Sequence, residues 1–419
     1  MTDWAERQLH FIGIGGAGMS GLALVCARLG ATVTGSDRAD SSYMERLRQA
    51  GLAPAIGHAA ANLPDRAEVV VSTAIGGENP ELELARERGL PILHRGELLA
   101  RLCGEKRLIA VAGTHGKTTT TAMVAWAMRA LGADPAFFVG GEVAGLGEAG
   151  EAANAGWGEG EWAVAEADES DASFLELKPE VAVITNIEMD HHSRWGSVAE
   201  LRSAFDEFAA GARVAEFDPS SPGPAELRLG VPGDHNLLNA RAALAALELT
   251  GLDLEAAADA LAGFPGVRRR LELKGERDGT AIYDDYAHHP TEVRATLSAL
   301  RELREGRLVA VFQPHLYSRT KAFAEQFGAA LALADEAVVL DVYPAREEPV
   351  GELAGVSGLL VARAAADRMG GRPVVWAPTL DRAREAVEAR LRPGGVLVTV
   401  GAGDIFTLAE ELAEGGGGV

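Results

Sequence analysis

Apolar positions along this chain fall into short runs, each closed by a glycine-rich or polar turn and followed by a longer Ala/Leu stretch with helical spacing. The runs QLHFIGI, RLIAVAGT, WAVAEAD, VAVITNI, TAIYDDY, RLVAVFQ, EAVVLDV and GGVLVTVGAG are apolar with little alternation. That pattern predicts parallel strands covered by helices on both faces, an α/β fold. In such sheets functional groups gather just beyond the C-terminal ends of the strands, so the turns carry the chemistry.

At 419 residues and 47% hydrophobic content the chain exceeds one ordinary core. Composition changes at the polar GEKR around 104–107 and at the FPGV turn, Phe264 to Val267, predict three domains: 1–104, 105–264 and 265–419. The stretch from Phe217 to Gly233, rich in Pro, Gly and Ser, reads as a loop or a minimal strand connection. Lys and Arg number 39 against 61 Asp and Glu, a formal charge of -22 that repels a nucleic-acid backbone. A phosphate-bearing ligand must then be held by local devices: helix N-termini, a few cations or a metal ion. Cys26 and Cys103 lack metal-ligand spacing, no run approaches the ~20 apolar residues of a membrane span, and the N-terminus has no basic segment leading into an apolar core. The expectation is a cytoplasmic protein with no membrane partner, a monomer or a homodimer.

Gly13, Gly15 and Gly18 form G-x-G-x-x-G after the first predicted strand and open the helix MSGLALVCARLG. Asp37 ends the next strand, 19 residues beyond Gly18. This is dinucleotide spacing and admits an NAD-dependent dehydrogenase, but bare amides at a helix N-terminus suit any nucleotide diphosphate, and a structural tight turn is also possible. A second loop, AVAGTHGKTTTT, sets Gly113, Thr114, His115 and Gly116 before Lys117, Thr118 and Thr119 at a helix start. It is shorter than G-x-x-x-x-G-K-[ST], since position 111 is Val. Its chemistry survives: amides cradle phosphates, Lys117 neutralises β- and γ-oxygens, and the Thr118 hydroxyl is placed to ligate Mg²⁺. WAVAEADESD ends a strand at Glu166, a suitable partner for that cation. The acidic run Glu166, Asp168, Glu169, Asp171 also fits a solvated turn.

GTHGKTTTT, EADESDASF, TNIEMDHH, GDHNLLNA and DDYAHHPTEV resemble, in that order, the signature stretches of the Mur ligases, and the resemblance covers the whole chain. GIGGAGMSG, GSD, ENPE and FQPHLYSRT are similar to the branch that joins L-alanine to UDP-N-acetylmuramate. The alternative is the branch that attaches a recycled muropeptide to the same UDP-sugar, which should lack QPH-x-x-x-RT. The resemblance implies a Rossmann-like UDP-binding domain, a P-loop ATPase-like central domain and a Rossmann-like C-terminal domain. It demotes hydride chemistry and leaves a non-catalytic nucleotide-binding module as the other class.

Carried over residue by residue, the resemblance implies UDP-sugar contacts from Gly15, Gly16, Ala17, Gly18, Met19, Ser20, Asp37, Ser72, Thr73 and Asn79. It implies ATP contacts from Gly113 to Thr119, with His235, Asn236 and Asn239 on the adenine side and Arg270 reaching the phosphates. Thr118, Glu166 and His191 would hold Mg²⁺, and Tyr286, His288, His315 and Arg319 would form the amino-acid pocket, Arg319 pairing with the alanine carboxylate. Lys117, Glu166, His191 and Arg319 are thereby the residues implied in catalysis. By residue type alone, His235, Asn236 and Asn239 also fit ordinary helix capping, and Arg268, Arg269 and Arg270 a solvated face. Two features depart from the family: Leu316 stands where relatives often carry Arg, and the 217–233 connection is short.

Overall fold

The computed structural model describes residues 3–147, 151–189, 195–217, 227–345 and 347–415. The chain divides into two compact units, Met1–Gly230 with Leu237–Pro265, and Val231–Asn236 with Gly266–Val419. Among the described residues the first unit holds two sheets and the second unit one.

The first sheet comprises β1 (Gln8–Ile12), β2 (Thr32–Asp37), β3 (Ala55–Ile56), β4 (Glu68–Val71) and β5 (Ile92–His94). Its order is β3-β2-β1-β4-β5, and every pairing is parallel. The order reverses between β1 and β4, so the turns after these strands, 13–16 and 72–79, flank the switch-point crevice of an open α/β sheet. The second sheet comprises β6 (Arg107–Ala112), β7 (Ala136–Val143), β8 (Ala153–Gly156), β9 (Trp162–Glu166), β10 (Val181–Ile184) and β11 (Arg213–Val214), ordered β11-β10-β6-β9-β7-β8. Among the described residues only the β7–β8 pair runs antiparallel there. One apolar cluster links the layers of both sheets, from Leu9, Phe11 and Val25 to Leu108, Ala110, Phe174 and Phe205.

The third sheet comprises β12 (Glu272–Arg277), β13 (Thr280–Asp285), β14 (Leu308–Phe312), β15 (Glu336–Val339), β16 (Val374–Trp376) and β17 (Val396–Val400), ordered β12-β13-β17-β14-β15-β16. β14 and β17 are buried at every position, as the unbroken runs LVAVF and VLVTV require of central parallel strands. Two apolar clusters cover its faces, one around Leu297, Phe312 and Phe327, the other around Val311, Val387 and Leu408. The expected α/β class therefore holds. The runs did not predict the antiparallel members β8 (ANAG) and β12 (ELKGER), because neither carries an apolar run to mark it. Residues 218–226 of the Pro/Gly/Ser-rich stretch lie outside the described residues. No described helix is long and apolar enough to cross a membrane.

Candidate active site

The phosphate loop leaves β6 and enters the helix Lys117–Ala130. Gly113 and Gly116 take φ of +131° and +81°. Side chains are excluded at both: a β-carbon would stand 2.1 Å from Thr185 Oγ1 at Gly113 and 2.3 Å from Asn239 Oδ1 at Gly116. The segment after β10 fixes the loop from the other side. His115 N–H donates to Asn186 Oδ1 (3.0 Å), Asn186 Nδ2 and Thr185 Oγ1 donate to the His115 carbonyl (3.0 and 2.6 Å), and the Thr114 hydroxyl donates to the Glu188 carbonyl (3.0 Å).

Lys117 folds back over this loop. Its ammonium donates to the carbonyls of Gly113 (2.6 Å) and Thr114 (3.1 Å) and lies 2.8 Å from Glu169 Oε2. Burial acts to lower its pKa, but the carboxylates of Glu169, Asp168 and Glu166 push it up to about 12. Burial drives the Glu169 carboxyl the other way, up to about 7 against the pull of Lys117. Glu166, at the end of β9, accepts from Thr118 Oγ1 (3.0 Å) and from Gly140 N–H (2.7 Å). Asp168 and Asp171 both meet Arg95, at 2.7 and 3.2 Å. Burial would raise the Asp168 carboxyl, yet Arg95 and Lys117 hold it well below the usual carboxylate range. The acidic run is thus a structured turn with a partner for each carboxylate, and the solvated-turn alternative falls. Thr118 and Glu166 present adjacent oxygen donors, the ligand type a hard divalent cation takes. His191 lies outside the described residues.

The first glycine loop leaves β1 and enters the helix Ala17–Arg28, with Gly16 extended at its N-cap. Gly15 N–H donates to Asp37 Oδ2 (2.9 Å), so this carboxylate braces the loop. Met19 and Ser20 are buried, and the Ser20 hydroxyl returns to the Ala17 carbonyl (3.0 Å). Ser72 and Thr73 follow β4, and Asn79 Oδ1 caps the helix Pro80–Glu87 through the N–H groups of Glu81 and Leu82. From the central sheet, Asn154 Nδ2 donates to the Ala17 carbonyl (2.6 Å), and Arg46 pairs with Glu142. Sequence reasoning missed Asn154 and Arg95 as neighbours of this loop and Glu142 as the partner of Arg46, since nothing near them in the chain signals it.

In the second unit the four implied pocket residues come together. The rings of Tyr286 and His288 are 5.4 Å apart, those of His288 and His315 6.1 Å, and Arg319 Nη1 donates to His315 Nδ1 (3.3 Å). That donation places the His315 proton on Nε2. Tyr343, also missed, stacks on His315 at 5.8 Å; it follows the run EAVVLDV, where a strand-end rule would have found it. Arg319 is buried within the helix Tyr317–Leu331. Arg270 lies over Tyr286 (5.2 Å), while Arg269 pairs with buried Asp284 (3.0 Å), so neither belongs to a merely solvated face. Burial and then Arg270 lower the pKa of His235, and Asn236 Nδ2 donates to the Pro232 carbonyl (2.7 Å). Asn239 lies in the first unit against Gly116, so the GDHNLLNA segment is divided between the units.

Three profiles of one family match successive parts of the chain: Mur ligase family, catalytic domain, over residues 8–107; Mur ligase middle domain over 111–217; and Mur ligase, glutamate ligase domain over 269–403. The UDP-N-acetylmuramate--L-alanine ligase of Renibacterium salmoninarum is 43% identical over 98% of this chain and 98% of its own length. That of Mycolicibacterium vanbaalenii is 44% identical over 97% and 95%. Among solved structures, the UDP-N-acetylmuramate-alanine ligase of Thermotoga maritima superposes with a TM-score of 0.82 at 31% identity, covering 98% of this chain and 99% of that one. A murein peptide ligase from Psychrobacter arcticus superposes with a TM-score of 0.71 at 25% identity, with 99% of each chain covered. Matched along its length by family profiles and by relatives of the same extent, this protein belongs to the Mur ligase family.

Proposed function

We propose that this protein is an ATP-dependent ligase that forms the amide bond between UDP-N-acetylmuramate and L-alanine in peptidoglycan precursor synthesis. The observation that carries the reading is Lys117, held over the carbonyls of its own loop and ringed by Glu166, Asp168 and Glu169, with Thr118 on Glu166. A separate glycine loop stands in the same unit for the UDP-sugar. The relatives above, at 43% and 44% identity over nearly their whole length, carry that activity in their names. We assign 1–104 to the UDP-sugar, 105–264 to ATP and 265–419 to the amino acid.

In this reading the muramate carboxylate oxygen attacks the γ-phosphorus of ATP and ADP leaves, giving an acyl phosphate. The alanine amine then adds to the acyl carbon, loses a proton, and phosphate departs. No side-chain nucleophile is needed, so the residues act by positioning and charge neutralisation. Lys117 exchanges its carbonyl and carboxylate partners for phosphate oxygens. Thr118 and Glu166 would hold Mg²⁺, with His191 assigned as a further ligand, and the ion would neutralise phosphate charge. Arg319 would fork onto the alanine carboxylate, with Tyr286, His288 and His315 lining the pocket. Phosphate release measured with UDP-N-acetylmuramate, ATP and a panel of single amino acids, plus the muropeptide, is the test. Turnover with L-alanine is expected; turnover with the muropeptide alone would sink the assignment.

A further inference from the structure

The helix Tyr317–Leu331 carries Arg319 in its first turn, yet it starts on Leu316, whose side chain has no acceptor for the amides that a helix leaves open there. The acceptor comes from 29 residues further along the chain. Glu347 Oε2 accepts from the Ser318 N–H (2.9 Å), and Oε1 accepts from the Ser318 hydroxyl (2.5 Å). Both oxygens are thereby set on the residue next to Arg319, where a carboxylate also meets the positive end of the helix dipole.

Glu347 belongs to a segment that frames the whole turn. β14 and β15 pair as far as Phe312 and Val339, and the pairing resumes for one bridge at His315 and Tyr343. Tyr343 N–H donates to the Pro314 carbonyl (2.8 Å), and the Tyr343 carbonyl accepts from Leu316 N–H (3.0 Å). The Tyr343 ring lies within 10° of parallel to that of His315, whose Nδ1 accepts from Arg319 Nη1 (3.3 Å). Behind the tyrosine, a β-carbon on Gly403 would stand 2.6 Å from Tyr343 Cγ, so the turn after β17 closes on the ring. The start of the segment is anchored by Asp341 Oδ1, which accepts from Gly358 N–H (2.8 Å). One segment therefore reaches Arg319 twice, through the backbone at Ser318 and through the ring that its guanidinium touches.

We propose that Glu347 is a positioning residue for the amino-acid substrate: it caps the helix from outside, holds its first turn, and so aims the Arg319 fork at the alanine carboxylate. The inference rests on reading Arg319 as the group that grips that carboxylate. A guanidinium makes two parallel bonds only over a narrow range of orientation. A loosened first turn must then be ordered again when the ligand arrives, and that cost falls on alanine alone.

Steady-state phosphate release by the full-length enzyme, with UDP-N-acetylmuramate, ATP and L-alanine varied in turn, tests this beside thermal melts. Glu347→Ala should raise KM for L-alanine by about five- to tenfold, with kcat and the other two KM values within about twofold of the parent. Glu347→Gln, which keeps the shape and an acceptor but not the charge, should raise it by about two- to threefold. Glu348→Gln makes the same change of charge on the exposed neighbour and should leave all three KM values unmoved; a shift equal to that of Glu347→Gln would assign the effect to net charge and overturn the proposal. A purely structural contact would lower Tm and raise all three KM values together, which also overturns it, as does an unchanged alanine KM in Glu347→Ala. If Glu347→Ala does not fold, Glu347→Gln decides by the same criterion. An unaltered enzyme that releases no phosphate with L-alanine would bring down the functional reading itself, whereas turnover by the parent with a normal alanine KM in Glu347→Ala brings down only the role of Glu347.

Discussion

The two glycine loops of the first unit share a strand–loop–helix skeleton but acquire charge in opposite ways. The loop after β6 carries its own lysine, bends through two glycines with positive φ, and sets the buried Glu169 carboxylate against Lys117. The loop after β1 has no cation and already spends one amide on Asp37, and the guanidinium near it, that of Arg95, is paired with Asp168 and Asp171. A triphosphate that must transfer its terminal group needs charge fixed at the reacting end, so the cation belongs to the loop itself. A diphosphate that serves only as a handle keeps its charge through the reaction, and the amides of a helix N-terminus suit it.

The sharpest way to break this comparison is Lys117→Ala. It should lower kcat for ligation by roughly 10³-fold or more, an effect above about 4 kcal/mol, while the UDP-sugar Kd stays within about twofold. Equal loss at both loops, read by single-turnover phosphate release and by calorimetry, would mean that they do not act separately. The next effect belongs to the first loop's frame. Glu81 is buried and accepts from Ser36 Oγ (2.6 Å), Asn62 Nδ2 (2.8 Å) and Ala59 N–H (2.9 Å), with His10 Nε2 at 3.0 Å. Burial would raise its carboxyl, but these partners, His10 first, hold it at about 2 against an ordinary 4.5. A depressed carboxyl contributes stability above its unfolded pKa and loses it as pH falls through the folded one. Glu81→Gln should cost roughly 3 kcal/mol at pH 7, and the gap to the parent should close between about pH 5 and 2. Urea melts at pH 7 and 3 decide it: a gap independent of pH would show that shape, not charge, makes the contribution.

The same contrast explains what could be read from the chain. The parallel strands and the phosphate loop were legible because apolar runs, glycines, Lys117 and Thr118 are neighbours in sequence, and their order is itself the signal. Glu166 was legible as a strand-end carboxylate beside that loop. Arg95, Asn154 and Glu81 were not, because each acts on an element far away in sequence: Arg95 on Asp168 and Asp171, Asn154 on Ala17, Glu81 on Ser36. No local pattern encodes such a pairing. Asp37 was legible from its spacing beyond Gly18, but its bond to the Gly15 amide was not, since spacing marks a position and not a partner.

The third strand–loop–helix turn, after β14, extends the comparison to the amino-acid pocket. Arg319 is buried and engages His315. Arg319→Lys keeps the charge and loses the fork, so it should raise KM for L-alanine by an amount worth about 2 kcal/mol and leave KM for ATP and the UDP-sugar almost unchanged. A normal alanine KM in that variant would show that another residue holds the carboxylate.

The smallest expected effect is the most diagnostic of how this turn differs from the glycine loops. There the positive φ values fall on glycine; here Leu316 sits at φ 70° and ψ 134°, at the N-cap of the helix that carries Arg319. A β-carbon in that region costs on the order of 1–3 kcal/mol. The turn is held all the same, since Leu316 N–H donates to the Tyr343 carbonyl (3.0 Å) and its own carbonyl accepts from Thr320 Oγ1 (2.7 Å). Its side chain is also buried, worth roughly 1.5–3 kcal/mol. In Leu316→Gly the relieved strain and the lost burial oppose each other, and the net change in stability should stay below about 1 kcal/mol, a shift of only a few degrees in Tm. Alanine binding should respond more than stability does, because glycine frees the turn three residues before Arg319 and the fork must then be ordered when the ligand arrives. A rise of about threefold in KM for L-alanine with an unmoved Tm is the expected pair of results. A large fall in Tm with an unchanged KM would show instead that Leu316 is there to fill the core, and that the strained turn does nothing for Arg319.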